Sequence, residues 1–224
     1  MPAAKKDSFA IDEAFRRLRL AVAGLPKAAM FDLRDRGYDT PFEQLVGSLI
    51  SARTRDETTM AVCLRLFAEA RTPAAMAALE ESRLVQLLHG ASFPEPKARD
   101  LRELSRRIVE EHAGVVPDTM EGLTAFRGVG PKIAALTLAV GFGRAAIAVD
   151  IHVHRIANRW GYVATTSPEA TMAALASKLP ESYWIEINER LVPFGKAVCT
   201  GTAPRCSTCP LLSICRQVGV TSHR

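Results

Sequence analysis

Three observations predict an all-α protein. Ser/Thr-Pro pairs stand at the head of apolar-periodic stretches, apolar residues recur at helical intervals with charges between them, and the one β-like run, Ala145–Val149, is short. In Thr40-Pro41, Thr72-Pro73 and Ser167-Pro168 the hydroxyl can cap orphan backbone N–H groups while the proline suits the first helical position. Glu43, three residues after Thr40, completes a capping box, and Asp118 with Glu121 repeats that spacing ahead of Leu123 and Phe126. The amphipathic pattern runs through Phe15-Leu18-Val22, Leu45-Leu49, Val62-Leu66, Leu84-Leu88, Leu101-Leu104-Ile108 and Ile185-Leu191. Connectors at 90–96, 114–117 and 161–166 are brief, and neither a repeat nor a long linker divides the chain.

The 224 residues, 48% hydrophobic and 24% charged, exclude a fibre, a collagen and a wholly disordered tail. Lys+Arg 29 against Asp+Glu 24 leaves 29 − 24 = +5, a modest excess that permits a polyanionic partner without requiring one. Its distribution says more: after Glu189 no acid follows, whereas Lys196, Arg205, Arg216 and Arg224 do. No apolar run is long enough to span a bilayer, and the start, MPAAKKDSFAIDEAF, mixes charges into what a signal peptide would keep apolar. The expectation is a soluble intracellular protein with no membrane partner, cytoplasmic or, in a bacterium, nucleoid-associated. Its cysteines should then be reduced unless they hold a metal or a cluster.

Two short helices, 117–126 and 131–140, flank Arg127-Gly128-Val129-Gly130. Gly128 and Gly130 can adopt positive φ and expose N–H groups, and the positive end of the second helix faces the same place, which makes a phosphate-binding corner. Lys132 lies in that helix's first turn, where the dipole disfavours an ammonium, and a lysine that sheds its proton easily is a candidate amine nucleophile. Taken alone, so short a motif as G-x-G-x-K reads first as a glycine turn beside a surface lysine. Eighteen positions on, Asp150 follows the apolar run and suits the N-cap of a helix beginning near Ile151.

Four of the five cysteines, Cys199, Cys206, Cys209 and Cys215, form C-x6-C-x2-C-x5-C in a Pro/Gly/Ser/Thr-containing loop. Four thiolates suit zinc or an iron–sulfur cluster, and a single C-x2-C pair with longer flanking spacers tilts the choice toward a cluster. Cys63, alone on a helical pattern, reads as a buried small apolar residue.

These segments resemble the endonuclease III family of DNA glycosylases, in the helix-hairpin-helix superfamily. Residues 127–134, RGVGPKIA, look like that family's hairpin, residues 147–155, IAVDIHVHR, look like its aspartate segment, and the cysteine spacing is that of its [4Fe–4S] loop. Further matches are Ser51-Ala52, Thr54, Asp56, Thr72-Pro73 and Lys97-Ala98, so that the resemblance runs from about residue 32 to 215. It implies two helical domains with a DNA-binding cleft between them: a six-helix domain at 34–144 containing the hairpin, and a cluster domain of 1–33 plus 145–224. It also implies a bifunctional glycosylase and abasic-site lyase that excises oxidised pyrimidines, acting as a monomer on double-stranded DNA with damaged bases or abasic sites. Lys132 carries over as the nucleophile that forms a Schiff base and Asp150 as its carboxylate. Gly128, Val129, Gly130 and Arg205 become backbone contacts, and the four cysteines the ligands of a [4Fe–4S] cluster.

Two positions depart from the family. Arg53 replaces a glutamine that fills the gap left by a flipped nucleotide, and arginine, longer and always charged, can stack or fork to a phosphate or a guanine edge. Phe93 falls where the family has an intercalating leucine and could wedge as a larger apolar plate. Pro94 and Pro96 are expected to stiffen that loop, and Glu95 to bring a negative charge near phosphates. An altered lesion or opposite-base preference is expected. His152 is expected to be a hydrogen-bonded structural residue, and Asp56, which matches the family, suits the N-cap of the following helix equally well. The alternatives are an adenine-removing relative, which generally lacks the hairpin lysine, and a noncatalytic helix-hairpin-helix DNA grip.

Overall fold

The computed structural model describes residues 9–224, and among them twelve α-helices and no strand occur. The first eight residues, part of the stretch whose charges speak against a signal peptide in the sequence, lie outside the described residues. No helix among the described residues is long and apolar enough to cross a membrane. The chain divides into two compact units, 28–148 and the N-terminal residues to Lys27 with Val149–Arg224. Compared with the expected 34–144, the first unit gains α2 (Ala29–Asp35), which packs on the two helices after it, and the extended run 145–148.

The first unit holds α2, α3 (Pro41–Ser51), α4 (Asp56–Phe67), α5 (Pro73–Ala78), α6 (Glu81–Leu87), α7 (Pro94–Glu111), α8 (Met120–Thr124) and α9 (Pro131–Leu136), eight segments where six were expected. Its core is Phe31, Leu45, Leu66, Met76, Leu84, Leu101, Ile108 and Leu123, all essentially without solvent contact. Each such side chain contributes about 1.5–3 kcal/mol of burial. Thr40 caps α3 in the expected box with Glu43, and Glu43, 1% exposed, also takes Arg71 Nε at 2.6 Å.

Three local expectations are corrected. The cap of α8 is Thr119, which accepts from Gly122 N, because Asp118 is drawn away into an ion pair with Arg144. Asp56 is in the first turn of α4, after its N-cap Arg55, where its charge still meets the positive helix end. Pro94 and Pro96 stiffen no loop: they lie in the first turn of α7, where a missing N–H costs nothing, and Glu95 is matched there to the helix dipole. The predicted helix 131–140 is α9 continued by a π-helical turn, Thr137–Gly141, where the Thr137 hydroxyl bonds the Ile133 carbonyl.

In the second unit, α1 (Ile11–Val22) packs on α12 (Glu186–Ala197), which packs on α10 (Ile151–Arg159), and α11 (Pro168–Ala176) covers α10. Buried Phe15, Leu18, Trp160, Leu191 and Phe194 form its core, with Phe9 stacked on Trp160 at 4.8 Å. Arg17 ties α1 to the cysteine-rich tail through Pro210 O and Ser213 Oγ, both at 2.8 Å. These bonds give a physical reason for the N-terminal helix to belong to the C-terminal unit.

Candidate functional site

In the first unit, α8 and α9 pack together and α9 also packs on α3, so the residues between them form a hairpin braced from one side. Gly128 takes φ +81°, and a Cβ there would meet Asp100 Oδ2 at 3.3 Å and Leu49 Cδ2 at 3.4 Å, which explains glycine at that position. Gly130 differs from the expectation: its φ of −90° is ordinary extended backbone, because it serves as the N-cap of α9 and its carbonyl accepts from Ala134 N. Val129 is buried, and its N–H donates to Phe126 O. Arg127 Nε pairs with Asp100 at 3.1 Å, and Lys132, partly exposed, is the second residue of α9.

Two further loops of this unit meet beside α3. Arg53 and Phe93 both have φ +57°, in the left-handed region, and Phe93, the N-cap residue of α7, is 57% exposed. The Arg53 guanidinium carbon lies 5.9 Å from the centre of the Phe93 ring. Ser92 Oγ donates to Arg53 O at 2.7 Å, and Ser92 N to Thr54 Oγ1 at 3.1 Å. Lys97, to which the sequence assigned no role, is half-buried and donates to Ile50 O, Ala52 O and Thr54 Oγ1 at 2.6, 2.8 and 3.1 Å. Burial pushes its ammonium down to about 8. Cys63 behind it is fully buried with its thiol pushed up to about 12 by burial, an inert packing residue as expected.

In the second unit, Asp150 is the N-cap of α10: its Oδ1 accepts from His152 N at 2.8 Å and Val153 N at 2.9 Å. His152 Nδ1 lies 3.0 Å from Arg155 Nη2, the hydrogen-bonded structural role expected of it. Cys199, Cys206, Cys209 and Cys215 line one recess with Trp160, Phe194, Leu211 and Arg205. Among the described residues no three His, Cys, Asp or Glu side chains surround a point as ligands of a single ion. The four thiols nonetheless share that recess, and four thiols are the donor set of a zinc ion or an iron–sulfur cluster. Burial first, and then the three neighbouring cysteines, push the Cys209 thiol up to about 11, so a thiolate there calls for a compensating cation. Arg159 Nη1 and Gln217 N donate to the sulfurs of Cys199 and Cys215, each at 3.4 Å. Arg155 and Arg159, four residues apart on one face of α10, also hold the carbonyls of Cys199, Thr200 and Gly201. The i, i+4 spacing of the two arginines is the signal that the sequence carries for this pair.

Among the described residues, all helical, the glycine hairpin, the lysine at the start of the following helix and the capped aspartate lie within a segment that places the chain in a class of DNA repair proteins. Residues 46–181 match the HhH-GPD superfamily of base excision DNA repair proteins. Endonuclease III of Thermotoga maritima is 42% identical over 182 residues, covering 81% of this chain and 85% of its own length. Endonuclease III of Bacillus subtilis is 34% identical over 181 residues, 80% of this chain and 83% of its own. A solved endonuclease III–DNA covalent intermediate superposes with a TM-score of 0.82 at 28% identity, covering 94% of this chain and 96% of that one. The chain belongs to the endonuclease III family.

Proposed function

We propose that this chain excises oxidised pyrimidines from double-stranded DNA and cuts the strand at the abasic site so formed, with Lys132 as nucleophile and Asp150 as the stabilising carboxylate. As a member of its family it is a bifunctional DNA glycosylase and abasic-site lyase of base excision repair. The observation that carries the assignment of Lys132 is its seat, partly exposed, in the first turn of α9 directly after the hairpin. Asp150 is supported by its fixed carboxylate, held by two backbone N–H groups through one oxygen.

The chemistry follows from those two groups. A base inside the stack cannot be reached, so the nucleotide is turned out at a cost of a few kcal/mol, least for a badly paired lesion. The Lys132 amine attacks C1′ as the glycosidic bond breaks and the base leaves with the bonding pair. The Asp150 carboxylate stabilises the cationic sugar while this happens. Loss of the amine proton and opening of the sugar give a Schiff base. Removal of a sugar proton then expels the 3′ phosphate by β-elimination.

The hairpin N–H groups of Gly128 and Gly130 grip a phosphate, with buried Val129 anchoring the turn, and such contacts position the duplex without reading sequence. Arg53 and Phe93 enter the duplex at the vacated position. Cys199, Cys206, Cys209 and Cys215 would hold a [4Fe–4S] cluster, which would supply a brace for the C-terminal loop, and Arg205 of that loop would meet a phosphate. The test is a panel of lesion duplexes, thymine glycol among them, incubated with wild type and Lys132→Ala. Incision by wild type and none by the variant is expected, and equal incision by both refutes the nucleophile.

A further inference from the structure

We infer that Lys97 is the positioning residue of a two-part wedge, Arg53 and Phe93, and that through it the enzyme favours guanine opposite the turned-out nucleotide. The inference rests on the reading above that these two side chains enter the duplex. Both residues hold φ +57°, a conformation that a residue other than glycine keeps only when its surroundings over-determine it. The surroundings here are few and specific. Lys97 sits one turn into α7, its N–H on Phe93 O at 3.2 Å, so the helix that carries it also begins at the aromatic plate. Its ammonium reaches across to Ile50 O, Ala52 O and Thr54 Oγ1, which bracket Arg53. The Ile50 and Ala52 carbonyls lie at the C-terminal end of α3, where carbonyls lack helical partners and the dipole favours a cation. One residue therefore joins the two loops, its ammonium to the 50–54 turn and its backbone N–H to Phe93.

The wedge offers two different surfaces to a duplex. Phe93 is an exposed apolar plate of the kind that slips between base steps. Arg53, held 5.9 Å from that plate, carries the fork that pairs with guanine O6 and N7. A fork reads a base only if its root is fixed. Without the Lys97 ammonium the carbonyls on either side of Arg53 lose their charged donor, and Ser92 Oγ on Arg53 O is left as the main tie on its left-handed backbone. Guanine opposite then loses its advantage over adenine, whereas reaction with an unpaired strand needs no wedge.

The experiment uses the full chain and three measurements. A duplex carrying a tetrahydrofuran abasic analogue opposite 2-aminopurine reports unstacking by fluorescence, and incision opposite guanine or adenine reports discrimination. Borohydride trapping on a single-stranded abasic oligonucleotide reports the chemistry alone. In Lys97→Met the fluorescence rise and the guanine preference are expected to fall about tenfold, the worth of one lost charged hydrogen bond, with single-strand trapping retained. Thr54→Val, which removes one acceptor from Lys97 and one from Ser92, is expected to act in the same direction and serves if Lys97→Met does not fold. Wild-type unstacking and guanine preference in the variants overturn the role of Lys97. Equal losses on duplex and single strand overturn it too, since they mark a merely structural residue. If wild type itself leaves 2-aminopurine stacked, the entry of Arg53 and Phe93 into the duplex fails first, and the inference with it.

Discussion

Asp150 does two jobs that substitution can separate. Its Oδ1 caps α10 through two short bonds to His152 N and Val153 N, and its charge is assigned to the reacting sugar. Asparagine caps a helix about as well as aspartate, whereas alanine forfeits about 1–2 kcal/mol. Asp150→Asn should therefore cost only the part due to charge at the helix end, about 0.3–1 kcal/mol. For a chain of 224 residues a loss of 1 kcal/mol lowers the melting temperature by about 2–4 °C. Asp150→Ala should melt a few degrees below Asp150→Asn, yet both should lose glycosylase kcat by about a hundredfold to a thousandfold, the usual worth of an aimed electrostatic stabiliser. Calorimetry and single-turnover incision of a thymine glycol duplex measure the two effects. Near-wild-type kcat in Asp150→Asn would refute the role of the charge, and equal melting temperatures for the two variants would refute the cap.

Three further predictions follow from particular contacts. A Cβ at Gly195 would lie 2.5 Å from His152 Nδ1 and 2.9 Å from its Cβ, while Arg155 holds that ring in place, so Gly195→Ala should cost about 1–3 kcal/mol in urea unfolding. An unchanged midpoint would show that α12 can shift. Burial pushes Lys97 down to about 8 from an ordinary 10.5, so between those values the folded state sheds a proton that the unfolded chain keeps, and this group favours folding more as pH rises. The clamp moves oppositely, because a neutral amine has two N–H groups for three acceptors: 2-aminopurine unstacking should decline above about pH 8 while stability does not. Cys63, the titratable group of α4 facing Lys97, stays neutral throughout that range. The proposed cluster predicts that wild type purifies brown with iron bound and that Cys209→Ser loses both, and zinc in the wild type would contradict it.

Legibility in the sequence followed how local each determinant is. Thr40, Thr72 and Ser167 cap their helices because hydroxyl, proline and orphan N–H groups lie within four residues of one another. Asp118 misled because Arg144, twenty-six residues away, claims its carboxylate and leaves the cap to Thr119. The convergence of the four cysteines was readable from spacing, since a short loop restricts where they can go. The left-handed backbone of Arg53 and Phe93 was not readable: neither residue type signals positive φ, and the bonds that impose it come from Ser92 and Lys97, roughly forty positions along the chain from the Arg53 loop. Lys97 appeared only as half of a matching pair because an ammonium's three acceptors are backbone and hydroxyl oxygens, which leave no mark in residue type.

The amine of Lys132 is the centre of the account, and reductive trapping tests it directly. Wild type incubated with an abasic duplex and borohydride should give a covalent protein–DNA adduct, with peptide mapping locating the reduced bond at Lys132 and no adduct in Lys132→Ala. An adduct that persists in that variant, or maps to another amine, would contradict the mechanism.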